Sequence, residues 1–135
     1  MAGGNYKIST GHSNSKFGIS IYQFQQIMEI VQKHGVQVKG LHIHTGSEIA
    51  ETDVFIKMAE ILFGMAGDFP NLSFIDFGSG FKVAYKDGDM VTNIYDLGLK
   101  LSKAFNEFCQ RYGRTLEMWV EPGKLIVSVA GTIPV

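Results

Sequence analysis

Three short polar motifs each follow an apolar run of the kind that forms a buried strand. The first motif carries His44 and Ser47, the second is the Gly-Ser-Gly turn at 78–80, and the third is the Glu-Pro-Gly-Lys turn at 121–124. Proteins built from parallel strands and helices bind their ligands at the carboxyl ends of the strands. The sequence therefore predicts that the three motifs meet at one end of a sheet and form a ligand site.

The second motif favours the binding of an anion. Glycine tolerates positive φ angles, so the backbone N–H groups of Gly78, Ser79 and Gly80 can close around a phosphate group. Ser47 would add a hydroxyl donor, and Lys124 would add a positive charge. A phosphate group is the ligand that we expect here.

Each motif alone has an ordinary structural explanation. Most glycine turns only reverse the chain, a single histidine such as His44 is more often structural than catalytic, and Glu121 alone fits a turn. The occurrence of all three motifs at strand ends is what favours a site.

Other kinds of site fit the sequence less well. His42 and His44 have the spacing of two metal ligands on one strand face, but no cysteine, third histidine or well-placed acid nearby completes the set. The turn at 78–80 lacks the last glycine of a dinucleotide-binding fingerprint. Cys109 falls within a predicted helix, where packing is its ordinary role. No metal site is expected.

The elements that position these motifs alternate along the chain. Apolar residues at helical spacing predict helices over 20–34, over 53–66 and from an N-cap at Thr92 to near Gly113. Short apolar runs predict strands over 36–43, 72–77 and 116–120. Ser20 and Gln23 have the spacing of a capping box at the first helix. This alternation predicts an α/β fold with a parallel sheet and helices outside it.

Composition narrows the class of protein. The chain has 135 residues, with 12 Lys and Arg against 13 Asp and Glu, so it fits one domain and has no excess of basic residues for nucleic acid. One cysteine excludes an internal disulfide and favours a reducing, cytoplasmic location. No apolar run is long enough to span a membrane. Residues 1–6 lack the features of a signal peptide, and we interpret them as an artificial extension.

Four segments together resemble a known family. The series "ISTG…SKFGI", "GLHIHTGSEI", "IDFGSGF" and "EPGK" is similar to the pyridoxal-phosphate-dependent decarboxylases with the alanine-racemase-like barrel fold, above all to their diaminopimelate decarboxylase branch in lysine synthesis. The resemblance covers most of the chain and implies pyridoxal 5'-phosphate as cofactor and a small amino acid as substrate. It places the KFG motif on the fifth barrel strand and the EPG motif on the eighth.

The resemblance also implies a role for each motif residue. His44 would stack on the pyridine ring, and Ser47 would contact the cofactor's phosphate. The turn at 78–80 would wrap that phosphate, although Ser79 replaces the usual central glycine and is tolerated only with a negative φ. Glu121 would pair with the pyridine nitrogen and keep it protonated.

The last two positions would complete the phosphate or substrate-carboxylate site. Gly123 is the glycine of the EPG motif, and Lys124 stands where the family usually has arginine, so it keeps the charge without the bidentate geometry.

The resemblance implies half of a TIM-type (β/α) barrel, its C-terminal half. A whole barrel needs about 250 residues, and the 135-residue sequence contains no motif similar to the Schiff-base lysine motif Y-A-x-K-A-N. We therefore expect no decarboxylation by the chain alone. Half a barrel exposes an apolar inner face and open sheet edges, which favours a homodimer. Two alternatives stay open: a self-associating phosphate-binding module, and a structural piece without a ligand.

Overall fold

The computed structural model describes residues 3–4, 16–128 and 130–131. Strands and helices alternate through this part of the chain. The strands are β1 (Gly3–Gly4), β2 (Gly40–His42), β3 (Gly46–Ser47), β4 (Phe74–Asp76) and β5 (Glu117–Trp119). The helices are α1 (Phe24–His34), α2 (Thr52–Ala66), α3 (Ile94–Tyr112) and α4 (Gly123–Val127), and a 3-10 turn at Ile21–Gln23 precedes α1.

The strands form two parallel sheets. The larger sheet has the order β2-β4-β5, with Leu41, Ile75 and Met118 in register across it. In the smaller sheet β1 pairs in parallel with β3. The α/β prediction is confirmed, and each predicted strand of the larger sheet is present in parallel pairing. The observed strands are shorter than the predicted runs.

Two of the helix boundaries differ from the sequence prediction. The Ser20 hydroxyl accepts a hydrogen bond from the backbone N–H of Tyr22 at 3.3 Å, so it caps the 3-10 turn, and the Gln23 side chain makes no capping bond. Asn93, not Thr92, is the N-cap of α3, where its side chain accepts from the N–H of Asp96.

Thr92 is unavailable for capping because its hydroxyl joins two loops. It donates to the carbonyl oxygen of Ile49 at 2.5 Å and accepts from the N–H of Lys82 at 2.7 Å. Gly35 and Gly113 end α1 and α3 in the left-handed conformation, as the sequence predicts.

One face of the larger sheet packs against helices. Ile75 of β4 is fully buried, and the core that surrounds it includes Leu62 of α2 and Phe105 of α3. Phe63 and Phe108 stack between α2 and α3 with ring centroids 4.4 Å apart. Burial of apolar area at about 25 cal/mol per Å² makes this layer the main source of stability.

The alternate residues of the sheet carry a second aromatic pair. Phe74 of β4 stacks on Trp119 of β5, with centroids 4.0 Å apart and planes 9° from parallel. A Cβ added at Gly40 of β2 would lie 2.2 Å from the Phe74 ring, so the ring occupies the space over that glycine. Trp119 remains 46% exposed, and this face is the one that the half-barrel prediction leaves uncovered.

The KFG segment does not form the strand that the resemblance places there. Residues 16–18 form a bend, and Gly18 has a φ of +70°, which turns the chain toward the 3-10 turn. Parallel pairing in this part of the chain occurs instead at Gly3–Gly4. No helix within the described ranges has the length and apolar character needed to cross a bilayer.

Candidate functional site

The sheet brings the three motifs together. The backbone N–H of Glu121 donates to the carbonyl oxygen of Gly78 at 2.7 Å, and the N–H of Ile49 donates to that of Gly80 at 3.0 Å. Both contacts run from a flanking motif to the glycine turn at 78–80. The predicted meeting of the three segments at the carboxyl ends of the strands is confirmed for their backbones.

The glycines of this turn are required by close backbone packing. Gly78 has a φ of +60°, and a Cβ there would lie 2.7 Å from the carbonyl oxygen of Ile43 and 3.2 Å from the His44 ring. Gly80 has a φ of +111°, and its Cβ would lie 2.3 Å from the carbonyl oxygen of Gly46. The turn therefore sits directly against the segment that carries His44.

Ser79 has the negative φ that was required for a serine to replace the usual central glycine of the turn. Among the described residues, Glu48 is the only non-glycine with a positive φ, so the backbone of Ser79 is in an ordinary conformation. A side chain is tolerated between Gly78 and Gly80 for this reason.

The N–H of Gly78, which the sequence predicts as a donor to an anion, is engaged within the protein in this structure. That N–H donates to Oδ1 of Asp76 at 2.9 Å, so it is already used. The N–H groups of Ser79 and Gly80 have no hydrogen-bond partner within the described part of the chain. These two donors remain for a ligand.

Lys124 does not stand free beside the glycine turn. Its Nζ donates to Oε1 of Glu48, and the Tyr85 hydroxyl donates to the same oxygen at 3.2 Å. Burial acts to lower the pKa of Lys124, but the hydrogen bonds with Glu48 and Tyr85 outweigh it and hold the pKa above its usual value. The charge of Lys124 is therefore kept and partly neutralised.

Glu48 reaches Lys124 from an unusual backbone position. Its φ is +60°, in the left-handed region that non-glycine residues rarely adopt. Glu48 directly follows Ser47, which lies in β3 in register with Gly4. The first and third motifs are thus joined by an ion pair that crosses the site.

Sequence reasoning missed a cluster of three titratable side chains at this end of the sheet. Nδ1 of His42 donates to Oδ2 of Asp76 at 2.9 Å. The ligand atoms of His42, Asp76 and Glu121 all lie within 4.8 Å of one another. Asp76 is buried, whereas the other two residues are exposed.

A signal for this cluster was present in the strand pattern. His42 and Asp76 end neighbouring parallel strands in exact register, so their side chains point to the same face. The sequence prediction considered only residues close to His42 along the chain, and the two acids come from other strands.

The third motif continues into a short helix. Gly123 begins α4, and its N–H donates to the carbonyl oxygen of Glu121 at 2.9 Å. The turn thereby holds Glu121 at the end of β5, next to the glycine turn. Gly123 makes this contact within its own motif, and its role toward a ligand stays a prediction.

Comparison with known proteins identifies the family. The family model "Pyridoxal-dependent decarboxylase, pyridoxal binding domain" matches residues 2–128, a range that includes most of the segment interpreted as artificial. Diaminopimelate decarboxylase of Bacillus subtilis is 33% identical over 134 residues, which cover 93% of this chain and 30% of that protein.

Solved structures agree on the fold. A crystal structure of diaminopimelate decarboxylase superposes with a TM-score of 0.79 at 23% identity, over 92% of this chain and 30% of that one. The Helicobacter pylori enzyme complexed with L-lysine gives a TM-score of 0.69 at 22% identity, over 87% and 29%. The chain thus spans about 30% of the length of these relatives. It belongs to the pyridoxal-binding domain family of the pyridoxal-dependent decarboxylases.

Proposed function

We propose that this chain forms the part of a decarboxylase site that binds the phosphate and the ring of pyridoxal phosphate, and that the whole protein decarboxylates diaminopimelate. The observation that carries this proposal is the 2.7 Å hydrogen bond between Glu121 and Gly78, which holds a carboxylate beside the glycine turn. The similarity to the Bacillus subtilis enzyme and the lysine complex of the Helicobacter pylori enzyme favour this substrate over other amino acids.

The residues present fit the cofactor in two respects. The N–H groups of Ser79 and Gly80 have no partner within the described residues and suit a phosphate group. Asp76 and Glu121 bring two carboxylates together with one histidine. A cationic ring nitrogen would relieve the repulsion between them.

Each residue near the ring has a separate task in this proposal. Glu121 accepts a hydrogen bond from the ring nitrogen and keeps the proton there. His44 packs on the ring face, and Ser47 donates to the phosphate. Pyridoxal phosphate, when bound, supplies the electron sink that stabilises the carbanion left by loss of carbon dioxide.

Lys124 would act on the phosphate or on the substrate carboxylate through its charge. In the structure that charge is shared with Glu48. We propose that Gly123 keeps the backbone of the EPG turn close to the same group, as the family pattern implies.

A cofactor titration tests the proposal. Trp119 is the only tryptophan in the sequence, and it lies two residues from Glu121, so cofactor binding should quench its fluorescence. Glu121→Gln should weaken pyridoxal phosphate at least about tenfold, the scale of one lost charge-assisted bond. Glu107→Gln, an exposed acid on α3, should bind as the unmodified chain does.

Two outcomes of the same titration would contradict the proposal. Equal affinity in Glu121→Gln and in the control would remove Glu121 from the site. Absence of saturable quenching, with no competition by inorganic phosphate, would favour the alternative of a structural piece without a ligand.

We further propose that two copies of the chain associate, and that the protein is cytoplasmic. Five large apolar residues between 118 and 127 are at least 42% exposed: Met118, Trp119, Val120, Ile126 and Val127. Pairing of two copies through this segment would remove that surface from water. The partly buried lone thiol of Cys109 supports a reducing compartment.

Sedimentation equilibrium tests the association. We expect a species of twice the 14.9 kDa chain mass, and Ile126→Glu should shift the equilibrium toward monomer. A monomer that melts cooperatively at micromolar concentration would contradict a dimer.

A further inference from the structure

We propose that His42, Asp76 and Glu121 bind a divalent transition-metal ion of the Zn²⁺ type, and that this ion and the cofactor exclude one another at Glu121. The site is built by three different strand ends, since the residues belong to β2, to β4 and to the turn after β5. Only the second half of the proposal rests on the proposed function.

The distances between the ligand atoms suit one ion. Nδ1 of His42 and Oδ2 of Asp76 are 2.9 Å apart, and all three ligand atoms lie within 4.8 Å of one another. Bonds of about 2.0–2.2 Å to a tetrahedral Zn²⁺ place neighbouring ligands roughly 3.4 Å apart. Reaching that geometry would require rotation of the exposed His42 and Glu121 side chains toward the buried Asp76.

The ligand types decide the class of ion. An imidazole with two carboxylates suits Zn²⁺, Co²⁺ or Ni²⁺, whereas Mg²⁺ and Ca²⁺ prefer oxygen ligands alone. Three protein ligands leave a fourth position for water. The ion would bind Nδ1 of the neutral imidazole of His42, whose single proton would then be carried by Nε2, so the ring stays neutral.

The surroundings hold the ligands in place. The N–H of Gly78 donates to Oδ1 of Asp76 at 2.9 Å, which leaves Oδ2 for the metal. The carbonyl oxygen of Gly78 accepts from the N–H of Glu121. Outer hydrogen bonds of this kind orient metal ligands in proteins and raise affinity.

The net negative charge of the His42, Asp76 and Glu121 cluster favours the binding of a cation. Two carboxylates face one imidazole, and within the described part of the chain no lysine or arginine pairs with Asp76 or Glu121. The nearest motif lysine, Lys124, is engaged by Glu48. A metal ion and a cationic cofactor ring would satisfy the same need at Glu121, so each is expected to displace the other.

The experiment is a titration of the 135-residue chain with ZnCl₂ by calorimetry, repeated with CoCl₂ and followed by visible absorption. We expect one ion per chain and at least about tenfold weaker binding in both His42→Gln and Glu121→Gln. Both residues are exposed, so circular dichroism should show an unchanged fold in these variants. Matched controls are His34→Gln on α1 and Glu117→Gln on β5, which should bind as the unmodified chain does.

Several results would overturn the metal site. These are the absence of saturable binding, equal affinity in the cluster variants and the controls, or a Co²⁺ spectrum unchanged by His42→Gln. Asp76→Asn provides a further check, because the amide oxygen can still accept from Gly78 while the charge is lost.

A competition experiment separates the two halves of the proposal. Pyridoxal phosphate should raise the apparent dissociation constant of Zn²⁺ by a factor of one plus the ratio of its concentration to its own dissociation constant. Zn²⁺ binding that is indifferent to bound cofactor would overturn the exclusion. Zn²⁺ binding by a chain that shows no cofactor binding would support the metal site and count against the proposed function.

Discussion

The amide of Glu121 donates to the carbonyl oxygen of Gly78, and this 2.7 Å bond ties the turn after the last strand to the glycine turn. Gly78 also donates its own N–H to Asp76. One glycine therefore fixes two acids from two segments. Substitutions around this residue should affect binding and stability in distinguishable ways.

Lys124→Ala should weaken inorganic phosphate and pyridoxal phosphate by about 1–2 kcal/mol, the scale of a charge-assisted hydrogen bond. The variant removes a positive charge and leaves the negative charge of Glu48 without its cationic partner beside the site. Fluorescence titration of Trp119 measures the change for pyridoxal phosphate, and competition against it measures the change for inorganic phosphate.

The double variant Glu48→Gln, Lys124→Ala is its control. Removing both charges should restore part of the lost affinity, since the repulsion from Glu48 is gone. Unchanged affinity in the single variant would show that Lys124 contributes nothing to anion binding.

Gly80→Ala should destabilise the fold by about 2 kcal/mol or more, because the backbone has positive φ and the new methyl group meets a carbonyl oxygen. The Cβ would lie 2.3 Å from the oxygen of Gly46. Urea unfolding gives the difference. Gly64→Ala on α2, where a Cβ meets nothing within 4 Å, should instead stabilise by up to about 1 kcal/mol.

Tyr112→Phe should cost about 1–3 kcal/mol of unfolding free energy, since it leaves buried backbone groups without partners. The Tyr112 hydroxyl donates to the carbonyl oxygen of Phe69 and accepts from the N–H of Leu72 at 3.1 Å. Tyr22→Phe at a 93% exposed position is the control. Equal urea midpoints for the two variants would contradict this role.

Asp96→Asn should lower the melting temperature at neutral pH, and its effect should disappear in acid. The hydrogen bond from Thr52, followed by that from Lys100, holds the pKa of Asp96 below 3.8. A carboxylate with a depressed pKa stabilises the fold above its unfolded value and loses this effect as pH falls through the folded value.

Melting curves between pH 7 and about pH 2 measure this dependence. The exposed loop residue Asp87 provides the control variant Asp87→Asn. A difference between Asp96→Asn and the unmodified chain that persists at the lowest pH would contradict the assignment.

The sequence was sufficient for the order of the three long helices and the three strands of the larger sheet, but not for β1, β3 and α4. The strands after α1 and α2 were identified because a short segment rich in apolar and β-branched residues follows each helix, over 36–43 and over 72–77. The N-cap of α3 was misplaced by one residue, since Thr92 and Asn93 are both good caps. Only the loop contact with Ile49 decides between them.

The residue types of the candidate site could be predicted from the sequence, but most of the hydrogen bonds between its side chains and backbone could not. Strand-end placement located His44, the turn at 78–80 and Glu121. The occupied N–H of Gly78 and the partner of Lys124 depend on Asp76 and Glu48. These contacts join residues far apart in sequence, and a positive φ at Glu48 has no signature in the residue type.

The parallel register of β2, β4 and β5 sets an order of assembly during synthesis. Each strand joins its neighbour only after an intervening helix has been made, so the loops that close are long and folding is expected to be slow. His42 and Asp76 can meet once β4 has left the ribosome, but Glu121 arrives more than forty residues later along the chain. The cluster of His42, Asp76 and Glu121 is therefore incomplete until β5 pairs with β4. Ligand binding at this cluster is then expected only after the sheet has formed.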